Sequence, residues 1–427
     1  MQQLRRELGV FGATMMGLGS IVGTGIFVSV GIAAGVAGPA VLLAIAVAAL
    51  VATANGLSSA QLAASHPVSG GTYEYGYRYL NPRLGFVAGW VFLLAKSASA
   101  ATAALGFAGY LLDALGITDS RWLTPLALAA VVALTGVVLA GIRRSNTANT
   151  IIVSVTLAAL AIFVLTGLPA VQTANFSPFL PAGDGALASL LQATALMFVA
   201  YTGYGRVATM GEEVRAPRRT IPRAIIATLV ASMLLYMAVA FVGVGAVGAP
   251  ALAAATQALA APLEMAAAAF ASPLAARVVA VGAIAAMLGV LLNLILGLSR
   301  VLLAMGRRGD MPQVVGRLNA TGTTPTAAVL VIGAVIGGLA LLGNVKTTWS
   351  FSAFTVLIYY AITNLAALRL DARERLFPRW VAVAGLLACL FLAFWVEARI
   401  WLAGLGLIGL GLLWQQAARR FFTRTNG

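Results

Sequence analysis

The chain has 427 residues, of which 61% are hydrophobic and only 9% are charged. Soluble domains carry charges on about a quarter of their residues, so this composition excludes a soluble globular protein and predicts one whose solvent is the lipid bilayer. The net charge of +15 does not indicate that the protein binds nucleic acid, because the basic residues lie in short clusters between long apolar runs.

Twelve apolar stretches are each long enough for a membrane-spanning helix, which needs about 20 residues. In chain order the predicted spans are 10–36, 39–63, 86–112, 122–141, 147–168, 187–210, 223–248, 274–305, 324–343, 347–368, 379–396 and 399–417. The N-terminal stretch has no small-residue cleavage site after a short apolar core, so we interpret it as a retained first span. The sequence thus predicts an all-α membrane protein with a single transmembrane domain over residues 1–427.

The distribution of basic residues tests this arrangement. All but six of the 27 Lys and Arg residues fall in loops on the side of the N-terminus. The exceptions are Arg121, Lys346 and Arg399 in the opposite loops, and Lys96, Arg206 and Arg277 within predicted spans. Because basic residues accumulate in cytoplasmic loops, we expect both termini to be cytoplasmic.

Few residues are available for metal or redox chemistry. Cys389 is the one cysteine and His66 the one histidine. Disulfides and multi-ligand Cys or His metal centres are therefore excluded, and we predict neither a metal nor a cofactor. The chain also lacks the short motifs of metalloproteases, serine hydrolases and nucleotide hydrolases, which disfavours an enzyme.

Glycines interrupt two of the predicted spans at their middle. Four glycines fall within residues 17–25 of span 1, and span 6 contains Gly203 and Gly205. Each glycine costs a helix about 1 kcal/mol relative to alanine, and paired interrupted spans in corresponding positions mark a transporter site. Spans 1 and 6 each open a unit of five helices, at about 8–168 and 187–370. Because five is odd, the second unit is inserted upside down, and the helices at about 379–417 are additional.

A broken helix offers both poles that a zwitterionic amino acid needs. Amides at the N-terminus of one half-helix attract a carboxylate, while carbonyls at the C-terminus of the other attract an ammonium group or a cation. The alternative is that the glycines only let helices pack closely. The matching positions of the two clusters favour the site.

Four blocks of sequence resemble the amino acid–polyamine–organocation (APC) superfamily. They are residues 19–27 (GSIVGTGIF), 66–75, 211–223 and 297–302, in the expected order, and the similarity extends over about 8–370. Among its members, the chain looks closest to bacterial homologues of cationic amino acid transporters. The resemblance implies a LeuT-like fold, with five helices, an inverted five and two more, and with helices 1 and 6 broken.

The resemblance also implies where an amino acid would bind. Its carboxylate would meet the Thr24 hydroxyl and the amides of Thr24, Gly25 and Ile26, and its amino group would meet carbonyls near Ile21, Val199 and Thr202. Phe198 or Tyr201 would act as an aromatic lid. The full set of expected substrate-binding residues is Ser20, Ile21, Gly23, Thr24, Gly25, Ile26, Lys96, Phe198, Val199, Tyr201, Thr202, Gly203 and Gly205.

Two departures from the family concern ion coupling. Related proton-coupled and exchanging members carry a lysine in span 5, and Thr156 stands at the corresponding position here. Span 8 lacks the paired hydroxyls of a sodium site around residues 284–289. Sodium coupling is disfavoured on these grounds, and the usual amine that replaces sodium is missing as well.

Lys96 lies near the middle of span 3 among small residues. A charge in mid-bilayer is costly and by default faces the protein interior. We consider three interpretations. Lys96 may replace the missing span 5 lysine and carry a proton, it may contact an anionic or polar part of the substrate, or its ammonium group may extend to the membrane surface.

The remaining candidates concern selectivity and gating. Cation-selective relatives often have an acidic residue near the position of Gly205, and here Arg206 follows it. This difference favours small neutral amino acids first and acidic ones second. Glu212 and Glu213 either form an inner gate with Arg78 or Arg300 or belong to a solvated loop.

The function that the sequence favours is secondary active transport of amino acids by alternating access, with proton coupling or exchange, in the bacterial plasma membrane. The alternatives are transport of acidic or cationic amino acids or polyamines, and a non-transporting amino acid sensor of the same fold. A channel is less consistent with two broken helices. The expected partners are the amino acid, membrane lipid and protons, and the oligomeric state is not predicted.

Overall fold

The computed structural model describes residues 8–67, 70–141, 146–181, 183, 185–208, 214–272, 274–319 and 322–422. Within these ranges the chain is helical and contains no β-strand, apart from one isolated bridge between Leu8 and Val214. This agrees with the predicted all-α class. Glu212 and Glu213, the predicted inner-gate residues, lie outside the described residues.

The first half of the chain forms eight α-helices. They are α1 (Val10–Ile21), α2 (Thr24–Phe27), α3 (Ser29–Ala37), α4 (Val41–Ser65), α5 (Thr72–Tyr75), α6 (Pro82–Ala114), α7 (Leu123–Leu139) and α8 (Asn146–Gly167). Predicted span 1 corresponds to α1–α3, and spans 2 to 5 correspond to α4, α6, α7 and α8.

The second half forms ten α-helices. They are α9 (Ala186–Tyr201), α10 (Gly205–Ala208), α11 (Pro217–Val247), α12 (Ala249–Leu259), α13 (Pro262–Ala268), α14 (Ala275–Arg308), α15 (Thr326–Leu342), α16 (Val345–Leu368), α17 (Arg379–Ala393) and α18 (Ala398–Phe422). Predicted span 6 corresponds to α9 and α10, and the later spans match α11 and α14–α18 within a few residues.

Nine helical stretches of the described residues are long and apolar enough to cross a membrane. They are Thr24–Ser65, Pro82–Ala114, Ser120–Leu139, Thr147–Ala170, Ala186–Ala208, Pro217–Val247, Ala275–Arg308, Val345–Leu368 and Ala398–Ala418. Three apolar helices are shorter, namely Val10–Ile21, Thr326–Leu342 and Arg379–Ala393. The 42-residue stretch Thr24–Ser65 turns at Gly38, whose φ of 61° is a conformation that glycine adopts easily.

The first interruption falls where the glycine cluster predicts it. α1 ends at Ile21, and α2 begins at Thr24 after the extended Gly23. A Cβ atom on Gly23 would lie 2.6 Å from the Val290 side chain. The glycine is therefore required here by the close approach of α14, and the same residue separates the two half-helices.

The second interruption is milder. α9 ends at Tyr201 and passes through the 3₁₀ turn Thr202–Tyr204 into α10. The backbone of Gly203 packs so closely against the Ser20 carbonyl that a Cβ atom at this position would overlap with it. The two interruptions consequently meet, and both interpretations of the glycines, close packing and helix breaking, apply at this point.

The connection between α11 and α14 is rich in alanine, and from this composition alone it could form short surface helices. It forms α12 and α13, but most of α13 is buried, including Leu263 and Glu264. Small side chains allow such close packing. Gly31 of α3 lies directly against Thr256 and Pro262.

Candidate functional site

A cavity of about 70 Å³ lies where the two interrupted helices meet. This volume holds only a few water molecules, so any solute that fits without rearrangement is small. Eight of the predicted substrate-binding residues line the cavity: Ser20, Ile21, Thr24, Gly25, Lys96, Val199, Thr202 and Gly203. The structure thus brings together parts of α1, α2, α6 and α9 that lie far apart in the sequence.

Six further residues line the cavity that the sequence did not single out: Ser99, Ala200, Val290, Asn293, Leu294 and Trp349. They lie mainly on α6, α14 and α16, whose apolar residues cover more than one face. The one available signal was Asn293, a carboxamide in the middle of an apolar helix, where polar groups are costly. The aromatic residue at the cavity is Trp349, whose indole Nε1 donates to the Leu196 carbonyl over 2.9 Å.

One wall of the cavity offers hydrogen-bond donors. The Thr24 hydroxyl is buried and has no hydrogen-bond partner among the described residues. Thr24 and Gly25 open α2, and their amides point back from its N-terminus, where no preceding turn supplies an acceptor. The Ile26 amide, by contrast, donates to the Gly23 carbonyl over 3.0 Å. An anionic group in the cavity therefore has two amides and one hydroxyl available at α2.

The carbonyls expected to receive an amino group already accept hydrogen bonds. The Tyr236 hydroxyl lies 2.9 Å from the Ile21 carbonyl and 3.1 Å from the Ala200 carbonyl, so its one proton is shared between these two acceptors. The Tyr360 hydroxyl donates to the Thr202 carbonyl over 3.1 Å. The Thr202 carbonyl also accepts from the Gly205 amide, and the Val199 carbonyl accepts from the amide and the hydroxyl of Thr202. Since a carbonyl oxygen has two lone pairs, the Ile21 carbonyl is the one of the three that can accept a further donor without losing a present one.

Lys96 reaches the second interruption. Its ammonium Nζ donates to the Thr202 hydroxyl over 2.8 Å, and that hydroxyl donates in turn to the Val199 carbonyl over 2.7 Å. None of the ion pairs within the described ranges includes Lys96. The cavity thus contains a cation whose partner is a neutral hydroxyl, and this arrangement differs from an ammonium group that extends to the membrane surface.

Five predicted binding residues do not line the cavity: Gly23, Ile26, Phe198, Tyr201 and Gly205. Tyr201 donates its hydroxyl to the Ile45 carbonyl over 3.2 Å, and Phe198 packs edge-on against Tyr360. Both rings are buried between helices, so neither lies in a lid position here. Gly205 faces the Tyr360 hydroxyl, which would lie 3.0 Å from a Cβ atom.

Two other predicted coupling residues, Thr156 and Arg206, are described by the structure and do not line the cavity. Thr156 donates its hydroxyl to Ile152 in its own helix over 2.8 Å. Arg206 is exposed and does not line the cavity. Their proposed roles in coupling and selectivity remain predictions.

A second polar cluster joins α5 to the end of α14. Arg308 forms an ion pair with Glu74 at 2.7 Å and lies over the Tyr77 ring at 4.2 Å. The hydroxyls of Tyr73 and Tyr77 donate to the Asp310 carboxylate. Burial and the neighbouring Asp310 carboxylate raise the pKa of Tyr73, so its phenol stays protonated and remains a donor.

The long apolar helices indicate an integral membrane protein, and a cavity between two interrupted helices is typical of transporters. A family model described as amino acid permease matches residues 8–403, and the chain therefore belongs to the amino acid permease family of the APC superfamily. This confirms the resemblance found in the sequence, and it identifies a transporter rather than an enzyme.

Curated relatives agree with this assignment. The chain is 40% identical to an uncharacterized transporter of Mycobacterium tuberculosis, covering 99% of this chain and 93% of that protein. It is 32% identical to the branched-chain amino acid permease BcaP of Bacillus subtilis, covering 92% and 88%. It is 28% identical to the methylthioribose transporter of the same species, covering 96% and 93%. Family and relatives together support amino acid transport.

Proposed function

We propose that the protein is a secondary active transporter of small neutral amino acids that works by alternating access. The observation that carries this proposal is the cavity at which the two interrupted helices meet. Its unpartnered Thr24 hydroxyl and the first amides of α2 suit a carboxylate, and the Ile21 carbonyl at the end of α1, which accepts from Tyr236 and has one lone pair left, suits an ammonium group. These are the two groups common to all amino acids.

The proposed architecture has twelve spans, arranged as a LeuT-like repeat of five and an inverted five with two more helices. Its support is the agreement between predicted spans and helices, and the matching positions of the interruptions after α1 and α9. The loop charges support a cytoplasmic position for both termini, in a bacterial cell. In this orientation, α12 and α13 lie on the outer side.

The small size of the cavity and its charge favour a small neutral substrate. Within the described residues no acidic side chain lines the cavity, so a cationic side chain would find no counter-charge there. Lys96 could pair with an acidic side chain, which keeps acidic amino acids as the second candidate. The relatives transport different solutes according to their names, so their substrates do not decide the matter.

Proton coupling through Lys96 is the favoured mechanism. The partner of its ammonium group is the Thr202 hydroxyl rather than a carboxylate. Thr202 belongs to the 3₁₀ turn between α9 and α10. Loss of the proton would convert Nζ from a donor-only group into one that can accept. A change at Nζ would therefore alter the hydrogen bonds that hold this turn.

Uptake of radiolabelled amino acids into proteoliposomes, with and without an imposed pH gradient, tests the proposal. We expect saturable uptake of a small neutral amino acid that increases when the proton gradient is directed inward. A thermal-shift screen of the purified protein against all amino acids and polyamines would choose the substrates for this assay. The absence of saturable transport of any amino acid would overturn the proposed function.

A further inference from the structure

α12 and α13 pack as a cap on α3, which follows α2 in the first interrupted span. Gly31 of α3 lies against Thr256 and Pro262, and Gly109 of α6 lies against the Leu259 carbonyl. A Cβ atom at either glycine would overlap with these neighbours. The cap, defined here as residues 249–268, is therefore held in close contact with both α3 and α6.

The Tyr110 side chain connects this cap to α2, the short helix that begins at the cavity. The Tyr110 hydroxyl of α6 donates to the Phe27 carbonyl over 2.8 Å and accepts from the Leu263 amide over 3.2 Å. Phe27 ends the short helix that begins with Thr24. A displacement of the cap would therefore break a hydrogen bond that reaches the half-helix of the proposed carboxylate site.

Glu264 follows Leu263 in the cap and is only 6% exposed. Its carboxyl Oε2 is buried and has no hydrogen-bond partner within the part of the chain that the structure describes. A buried carboxylate without a donor is strongly disfavoured, whereas a neutral carboxylic acid is tolerated. The environment of Glu264 therefore suits the protonated form.

The neighbouring Asp113 carboxylate acts in the same direction. On the elements packed against α13, the titratable or charged groups are Tyr110 and Asp113 of α6 and the exposed Arg277 of α14. α12 and the nearby part of α11 contribute none. Burial and, to a smaller extent, the Asp113 carboxylate raise the pKa of Glu264 from 4.5 to about 8.

We propose that Glu264 is a proton-binding site on the outer side of the protein, and that the cap occupies its packed position when this carboxyl group is protonated. A role of this proton in transport rests on the proposed function. In that function, Glu264 would bind the proton as the outer path to the cavity closes. The binding of the proton and the position of the cap can be measured without any transport.

The sign of the pH dependence follows from linkage. In the packed cap the carboxyl binds its proton up to about pH 8, whereas a solvated glutamate releases it near pH 4.5. Between these pH values Glu264 is protonated in the packed cap and ionised in the released cap. Each pH unit of increase therefore shifts the equilibrium towards the released cap by up to about tenfold. The packed position is therefore most stable at low pH and weakens towards pH 8.

Hydrogen–deuterium exchange of the full-length protein in nanodiscs tests this proposal without substrate. Exchange of peptides covering 249–268 would be compared between pH 5.5 and 8.5, after correction for intrinsic chemical exchange. We expect protection to fall at least tenfold in the wild type and to stay at its low-pH value in Glu264→Gln. Glu74→Gln, which alters the ion pair with Arg308 at the opposite end of α14, is the matched control and should behave as the wild type.

Asp113→Asn provides a second measurement if Glu264→Gln does not fold. Removal of the like charge should move the midpoint of the exchange change to lower pH. A wild-type cap whose protection is independent of pH, or a Glu264→Gln cap with the wild-type pH dependence, would overturn the proposal. Failure to transport any amino acid would reject the proposed function but would leave the exchange result unaffected.

Discussion

The cavity and the cap each hold an ionisable side chain without a partner of opposite charge in the described residues, and they differ in what surrounds it. Lys96 lines a space of about 70 Å³ and donates to a hydroxyl at a helix interruption. The Oε2 atom of Glu264 is buried and has no hydrogen-bond partner in the described residues. Glu264 does not line the cavity between the two interrupted helices.

This difference separates two kinds of ligand. Lys96 lies beside an open space and can meet a solute as well as exchange a proton, whereas the buried carboxyl group of Glu264 suits the binding of a proton. The Tyr110 hydroxyl joins the two regions by a hydrogen bond on each side. Substitutions in the cavity, in the cap and at this link therefore have different expected effects.

Lys96→Ala should have the largest effect. We expect uptake driven by a pH gradient to be abolished, because the substitution removes the ionisable group at the interruption, while substrate binding changes by less than about tenfold, or ~1.4 kcal/mol. Proteoliposome uptake and equilibrium binding would measure the two quantities. Lys346→Ala, at an exposed ion pair, is the control. Unchanged proton dependence in Lys96→Ala would reject the coupling role.

Thr24→Val should weaken substrate binding by about 10- to 100-fold, or ~1–3 kcal/mol, because the carboxylate loses one hydroxyl donor in a buried site. Isothermal titration or thermal shift with the best substrate would measure this change. Thr156→Val is the matched control, since that hydroxyl donates within its own helix and should leave affinity unchanged. Equal losses in the two variants would contradict the position of the carboxylate at α2.

Tyr110→Phe should have the smallest effect. The substitution leaves the Phe27 carbonyl and the Leu263 amide without this partner, at a cost of about 1–2 kcal/mol in stability. We expect faster hydrogen exchange in the cap and a lower melting temperature. Tyr75→Phe is the control, because the buried Tyr75 hydroxyl has no partner within the described ranges. If exchange in the cap were the same in both variants, the link between cap and cavity would be refuted.

The sequence predicted the helices well because their signal is local. An apolar run of about 20 residues is visible without knowledge of neighbours, and the twelve predicted spans each coincide with described helices. The interruption after Ile21 was predicted for the same reason, since glycines disfavour a helix wherever the chain goes. The eight predicted residues that line the cavity cluster around Gly25 and Gly203, apart from Lys96 of α6.

Other residues of the site could not be predicted in this way. Asn293 and Trp349 line the cavity because of the direction in which α14 and α16 are rotated, and a helix that is apolar on every side does not reveal that rotation. The ion pair of Glu74 with Arg308 joins residues far apart in the chain. The alanine-rich composition of residues 249–268 does not reveal that Glu264 is buried there.

The amino-acid sequence by itself determined that this protein is a membrane-embedded helical transporter of the amino acid permease family, with a first helix interrupted near Gly23. Composition, glycine clusters and sequence motifs act locally and need no packing to be recognised. The tertiary structure alone decided that Gly203 meets Ser20, that Lys96 reaches Thr202, and that Glu264 is buried. These contacts depend on which helices lie next to each other and how each is rotated, and the close packing of segments that are distant in the sequence determines both.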